Sequence, residues 1–156
     1  MKVTLVVFSG EMDKAMAAFN IAIGARTMGM EVSMFFTFWG IHMLKRPGAP
    51  SKSKGFIKKM LSAMSPAGAN KLPLSKLNML GMGPVMMKKL MKQYRMPDVQ
   101  EMIVMAKQAG VKFIACTTTM ELMGISKDQL IEQVDLLAGV ATYLAEASES
   151  NVNLFV

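Results

Sequence analysis

Short runs of β-branched and aromatic residues alternate with helical segments of about three turns along most of this chain. That alternation leaves few architectures open. Lys2 to Phe8 is such a run, ending at Ser9-Gly10, and Asp13 to Met28 follows with apolar residues at Met16, Phe19, Ile23 and Met28 before Gly29. Glu31 to Phe38 reads as a second strand closed by Trp39-Gly40. Asp98, placed after Pro97, caps a helix through Ala109 that Gly110 stops, and Val111 to Cys116 is a third strand. Thr117 to Met123 reads as a short helix start, and Ser126 caps another over Ser126 to Ile131. Glu132 to Leu136 is a weak fourth strand, Ala138 to Ser148 a helix and Asn151 to Val156 a last strand. Strands separated by helices imply right-handed crossovers and a parallel sheet covered on both faces.

Size and composition narrow the class. At 156 residues and 52% hydrophobic, the chain suits one domain, residues 1–156, with a core of its own. The apolar start is shorter than a signal-peptide core, and no stretch is long enough and free enough of charges to cross a membrane. A single cysteine, Cys116, excludes an intrachain disulfide, and with His42 as the only histidine it cannot build a four-ligand zinc site. These features predict a soluble protein of the reducing cytoplasm, with no metal.

The net charge of +7 is unevenly spread. Twelve lysines and arginines, from Lys45 to Arg95, lie between Glu31 and Asp98 without one acidic residue, whereas the rest has six basic and eleven acidic residues. The basicity therefore belongs to an insert, at about 45–96, between the second strand and the helix that follows it. Its opening, Arg46-Pro47-Gly48-Ala49-Pro50-Ser51, is a loop signal. Two segments within it, Phe56 to Met64 and Met86 to Tyr94, both place apolar residues at i, i+1, i+4, i+5 and i+8 around a lysine pair. Each makes a helix with one apolar and one basic face, and Leu80-Gly81-Met82-Gly83-Pro84 separates them, so a helical hairpin is expected.

Nine of the 19 methionines fall between residues 41 and 97. Flexible thioethers beside lysines suit core or subunit packing, an anionic membrane surface or a partner helix, and soft thioethers also suit Cu(I). Packing is the leading expectation. Nucleic acid is not expected, because Phe56 and Tyr94 alone make no stacking platform.

The chemistry rests on Cys116. Strands of a parallel sheet present their sites at the carboxyl edge, and Cys116 falls there, followed by Thr117-Thr118-Thr119-Met120 with free N–H groups at a helix start. Such donors favour thiolate over thiol. A thiolate in that position can accept and pass on sulfur as a persulfide. The competing reading is a small apolar residue buried on a core strand.

The run Phe113-Ile114-Ala115-Cys116-Thr117-Thr118-Thr119-Met120-Glu121-Leu122-Met123-Gly124, with Ser9-Gly10 after strand one and Phe36-Thr37-Phe38-Trp39-Gly40 after strand two, resembles the DsrE/DsrF-like family of sulfur-relay proteins. The resemblance covers the whole chain. It implies a three-layer α/β/α sandwich with a five-stranded parallel sheet, assembly into homo-trimers or hexamers, and a cysteine, Cys116 here, that carries persulfide sulfur between donor and acceptor proteins. Thr119 stands where members often have Ser, which keeps the hydroxyl. The helical insert between strands two and three is not required by the family fold.

Ser9, Gly10, Trp39 and His42 fall at the ends of the first two strands, on the same edge as Cys116, and are expected to support its site. His42 would serve as a proton shuttle or as a cationic neighbour of the thiol, and the plainer reading is a histidine exposed on a loop helix. Ser9 and Gly10 would offer backbone donors to an anion. No Gly-rich phosphate loop follows the first strand, so no nucleotide and no other cofactor is expected. Two functions remain: a sulfurtransferase-like persulfide carrier, or a non-catalytic oligomeric adaptor that docks through the Met-rich basic hairpin with Cys116 structural.

Overall fold

The computed structural model describes residues 1–48 and 68–156. Strand β1 (Lys2–Val7) passes through Ser9-Gly10 into helix α1 (Met12–Thr27), which returns to β2 (Glu31–Phe36). A 3-10 turn over Phe38–Leu44 follows. Helices α2 (Met82–Gln93) and α3 (Val99–Gln108) precede β3 (Lys112–Cys116) and the short helix α4 (Thr117–Met123). The chain ends with β4 (Leu136–Ala138), α5 (Val140–Ser148) and β5 (Val152–Phe155). The sheet is five-stranded and parallel throughout, in the order β4-β3-β2-β1-β5, with helices on both sides as expected.

That order explains how the faces are covered. From β1 to β4 each crossover steps the same way across the sheet, and only the return from β4 to β5 steps back past β1. If all crossovers keep one hand, the early helices share one face and α5 alone takes the other. Alternation along the strands agrees: Val3, Leu5 and Val7 join Val32, Met34, Phe36, Phe113 and Ala115 in the large core under α1 and α3, around the fully buried Phe19. On the other face Val6, Phe35, Ile114, Cys116 and Ala138 form a small cluster. Asp98 caps α3 in a reciprocal box with Glu101, each backbone N–H bonding the other's carboxylate at 2.9 and 2.8 Å, and Gly110 ends that segment at φ 84°.

Several expected boundaries move. The second strand stops at Phe36 rather than Phe38, because Phe38 takes a left-handed φ of 44° and starts the 3-10 turn. The fourth strand is Leu136–Ala138, not Glu132 to Leu136: the Asp135 carboxylate accepts the Phe113 N–H at 2.7 Å, and pairing with β3 begins only beyond it. Ala138 is consumed by that pairing, so the last helix starts at Val140 rather than Ala138. Ser126 does form a capping box with Gln129, but over a single 3-10 turn at Lys127–Gln129.

In the insert, the Met86 to Tyr94 repeat lies on α2 and the Phe56 to Met64 repeat lies outside the described residues. Of the repeat's apolar positions only Met91 is buried, whereas Met86, Met87, Leu90 and Tyr94 stay exposed. Within the chain this face is not packed into the core. No described helix is long and apolar enough to cross a membrane.

Candidate functional site

Cys116 closes β3 and is the residue from which α4 starts. Its side chain belongs to the small cluster under α5, where Phe8 and Tyr143 pack beside it, and only 5% of its surface is exposed. Burial pushes the thiol up, but hydrogen bonds from the Thr119 hydroxyl and N–H, the Thr37 hydroxyl and the Thr118 N–H outweigh it and hold the group below the value of an ordinary cysteine. The individual donors do this, since α4 is seven residues long and has little macrodipole to add.

Thr37 is the member that reading the sequence missed. Phe36 sits beside Ala115 in the β2–β3 register, so the residue just past β2, Thr37, comes alongside Cys116. Its hydroxyl lies 2.9 Å from that of Thr119, which also accepts the Phe38 N–H at 3.1 Å. The buried Thr119 therefore ties the end of β2 to the start of α4 directly over the thiol. Strand adjacency was the missing signal; a hydroxyl just past one strand matters here because its neighbour in the sheet ends in cysteine.

The other expected supports divide. Thr118 and Thr119 reach the thiol through hydrogen bonds. Thr117 lies at the loop before α5, its hydroxyl near Gly139. Met120 is buried in the large core and so faces away from the cysteine's cluster. The Ser9 N–H is already given to the Val156 carbonyl at 3.1 Å and is not available to an anion. Gly10 serves close packing: a Cβ there would stand 2.9 Å from the Trp39 carbonyl oxygen. Gly40, likewise, would put a Cβ 2.1 Å from the Val7 carbonyl oxygen.

His42 departs from both earlier readings. It is 3% exposed, not displayed on a loop, and its ring stacks on Trp39 with centroids 6.1 Å apart. Burial, with the nearby Lys45 charge, pulls it down to about 4, so it is neutral near pH 7 and cannot act as a cation beside the thiol. With Trp39 it borders a separate cavity shared with Gly10, Glu11 and Pro73.

Around the thiol the surface is aromatic. Phe8 packs on Phe38 at 5.1 Å and on Phe155 at 5.6 Å, and Phe38 and Phe155 remain exposed. Further from the edge the same face turns polar: Glu146 of α5 takes Lys112 at 2.6 Å, Lys2 at 2.7 Å and the Ser33 hydroxyl at 3.1 Å. Those bonds, led by Lys112 and Lys2, hold its carboxyl down to about 2. Among the described residues no three His, Cys, Asp or Glu side chains converge as metal ligands.

Known proteins resemble this chain over nearly its whole length. A protein of Bacillus subtilis strain 168, described as uncharacterized protein YrkE, is 47% identical over 99% of this chain and 96% of its own. The sulfur carrier protein DsrE2 of Allochromatium vinosum is 31% identical over 99% of this chain and 98% of its own. Among solved structures, the ychN protein from E. coli shares the fold with a TM-score of 0.62 at 13% identity, covering 100% of this chain and 99% of that one. The pattern of the DsrE/DsrF/DrsH-like family matches residues 1–155, and with the sulfur carrier relative alike over nearly its full length, the chain belongs to that family.

Proposed function

We propose that this protein carries persulfide sulfur on Cys116 between a donor and an acceptor protein in the cytoplasm. Family membership and the relative named as a sulfur carrier support sulfur relay in general. The observation that carries the assignment to Cys116 is the set of hydroxyl and N–H donors from Thr119, Thr37 and Thr118 around a thiol that burial alone would keep protonated. In the loading step the Cys116 thiolate attacks the outer sulfur of a donor R–S–SH. A Cys–S–S bond forms, the donor S–S bond breaks, and R–S⁻ leaves. An acceptor thiolate then attacks the outer sulfur of Cys116–S–SH, and the Cys116 thiolate departs with the electron pair of the broken bond. No external oxidant or reductant is consumed. The donors that favour the thiolate as nucleophile also favour it as leaving group, which suits a carrier that must both take and give.

The exposed Phe38, Phe155, Val140 and Leu144 lie on the thinly covered side of the sheet and support assembly into a homo-trimer or hexamer through that side. Intact-mass measurement after incubation with polysulfide tests the central reading. The parent should gain sulfur, and Cys116→Ser, close in shape, should gain none while keeping its fold; loading that survives the substitution removes Cys116 from the mechanism.

A second reading rests on α2, whose exposed Met86, Met87 and Leu90 lie among Lys88, Lys89 and Lys92. It makes the protein an oligomeric adaptor that docks on an anionic membrane surface or partner through this helix, with Cys116 structural. Sedimentation with phosphatidylserine vesicles separates the two: binding lost in Met87→Asp, together with no sulfur loading, favours the adaptor.

A further inference from the structure

Buried polar atoms are nearly always paired, and His42 is an exception. Both of its ring nitrogens are buried without a hydrogen-bond partner, and Glu11 Oε2, also buried, has no hydrogen bond and only the Lys14 ammonium at 3.4 Å. All three atoms belong to residues that border one cavity of about 240 Å³ at the start of the 16-residue helix α1, walled among the described residues by Gly10, Trp39 and Pro73. The unmet groups gather around one space.

We propose that this cavity is a binding site for a small uncharged molecule that both donates and accepts hydrogen bonds. A neutral imidazole offers one N–H donor and one acceptor nitrogen, and Glu11 Oε2 adds an acceptor, so the ligand must supply both kinds of group. The carboxylates nearby are already engaged: Glu11 faces Lys14 at 3.4 Å, and Asp13 is held by hydrogen bonds from the Ser75 N–H and hydroxyl, so an added cation would lack a free counter-charge. The charge of Lys45 is felt at His42, but Lys45 is not among the described residues that border the cavity, so an anion inside it would have no cation on its wall. The helix start does not invite an anion either, because Glu11 and Asp13 stand there and the Met12 N–H is spent on the Pro73 carbonyl at 2.7 Å. A metal ion fits poorly: two side chains are too few, and neither imidazole nitrogen has the carboxylate or carbonyl partner that orients a metal-bound histidine. Trp39 and Pro73 supply apolar walls for the body of the ligand. The class is that of small alcohols, amides and thiols, and the site is independent of the persulfide chemistry at Cys116.

The protein has one histidine and one tryptophan, and both border this cavity, so each reports on it without ambiguity. Full-length ¹⁵N-labelled Cys116→Ser protein, which cannot react with a thiol, is titrated with acetamide, ethylene glycol and 2-mercaptoethanol, and in parallel with methylammonium and acetate. The expected result is that at least one neutral probe shifts the His42 ring nitrogen signals and the Trp39 emission in a saturable way, with the charged probes at least tenfold weaker. His42→Phe should then weaken the neutral probe by about tenfold or more, read by Trp39, and Glu11→Ala, at a partly exposed position, should weaken it as well. Should His42→Phe not fold, the parent titration and Glu11→Ala decide alone. No saturation by any neutral probe would mean that the cavity holds water only and would overturn the proposal. Equal binding of charged probes, or undiminished binding in the folded variants, would overturn it too.

Discussion

The two faces of the sheet are built on different physics. Under α1 and α3 the strands bury a continuous apolar layer centred on Phe19, Phe36 and Phe113, whose rings meet at 5.3 to 6.2 Å. Under α5 the layer is thin: that helix has no buried residue, and it is held by the stack of Tyr143 on Phe35 at one end and by Glu146 with Lys2 and Lys112 at the other. The closed face supplies most of the apolar burial, and Cys116 sits on the open one. A thiol set in the large core would be sealed from any partner, whereas Cys116 lies under one short helix beside an exposed aromatic rim.

Neighbouring phenylalanines give the sharpest test of this contrast. Phe36→Ala, on the closed face, should lower stability by about 3–5 kcal/mol in denaturant unfolding. Phe35→Ala should cost clearly less, because α5, with nothing buried, can settle into the gap. Equal losses would break the comparison. Acid should next expose His42, which lies between the core residues Ile41 and Met43. Its folded value of about 4 lies below the 6.5 of a free histidine, so the stability tied to its neutral form is complete above pH 6.5 and is lost as pH falls toward 4. The loss should reach about 3 kcal/mol, and His42→Phe, if folded, should flatten that part of the pH profile.

On the open face the acid response should come lower and stay local. Glu146, ordinarily near 4.5, is held at about 2, so its contribution is present above pH 4.5 and disappears as pH falls through 2. Amide exchange should show α5 loosening in that range before the α1 amides do; simultaneous release would mean that the faces are not separable. The smallest effect on stability, though not on reactivity, is expected at Thr37. Thr37→Val removes a hydroxyl donor from the thiol, so Cys116 should titrate higher and alkylate several-fold more slowly at pH 7, with Thr37→Ser restoring the rate. An unchanged alkylation profile would remove Thr37 from the site.

How much of this was legible beforehand varies with the range of the interaction. Asp98 with Glu101, Gly110 and the β-branched runs are local signals, and the helices and strands they announce are present within a residue or two. The fourth strand was misplaced because its start is set by Asp135 reaching the Phe113 N–H, a contact across 22 residues. Neither the thiol-side nor the loop-surface reading of His42 fits its burial, because one histidine after a strand carries no periodicity, and Trp39, packed against the Gly10 turn, stacks on its ring.

The sequence by itself determined the parallel α/β order, the end of a strand at Cys116 and the basic, methionine-rich character of residues 45–96, since these follow from periodicity, turn residues and composition. The tertiary structure decided which hydroxyls meet the thiol, that Met120 turns to the opposite face, and that His42 and Glu11 share one cavity. Those outcomes depend on strand order and register, which bring together residues about eighty positions apart, such as Thr37 and Thr119, and no local pattern encodes a distance of that kind.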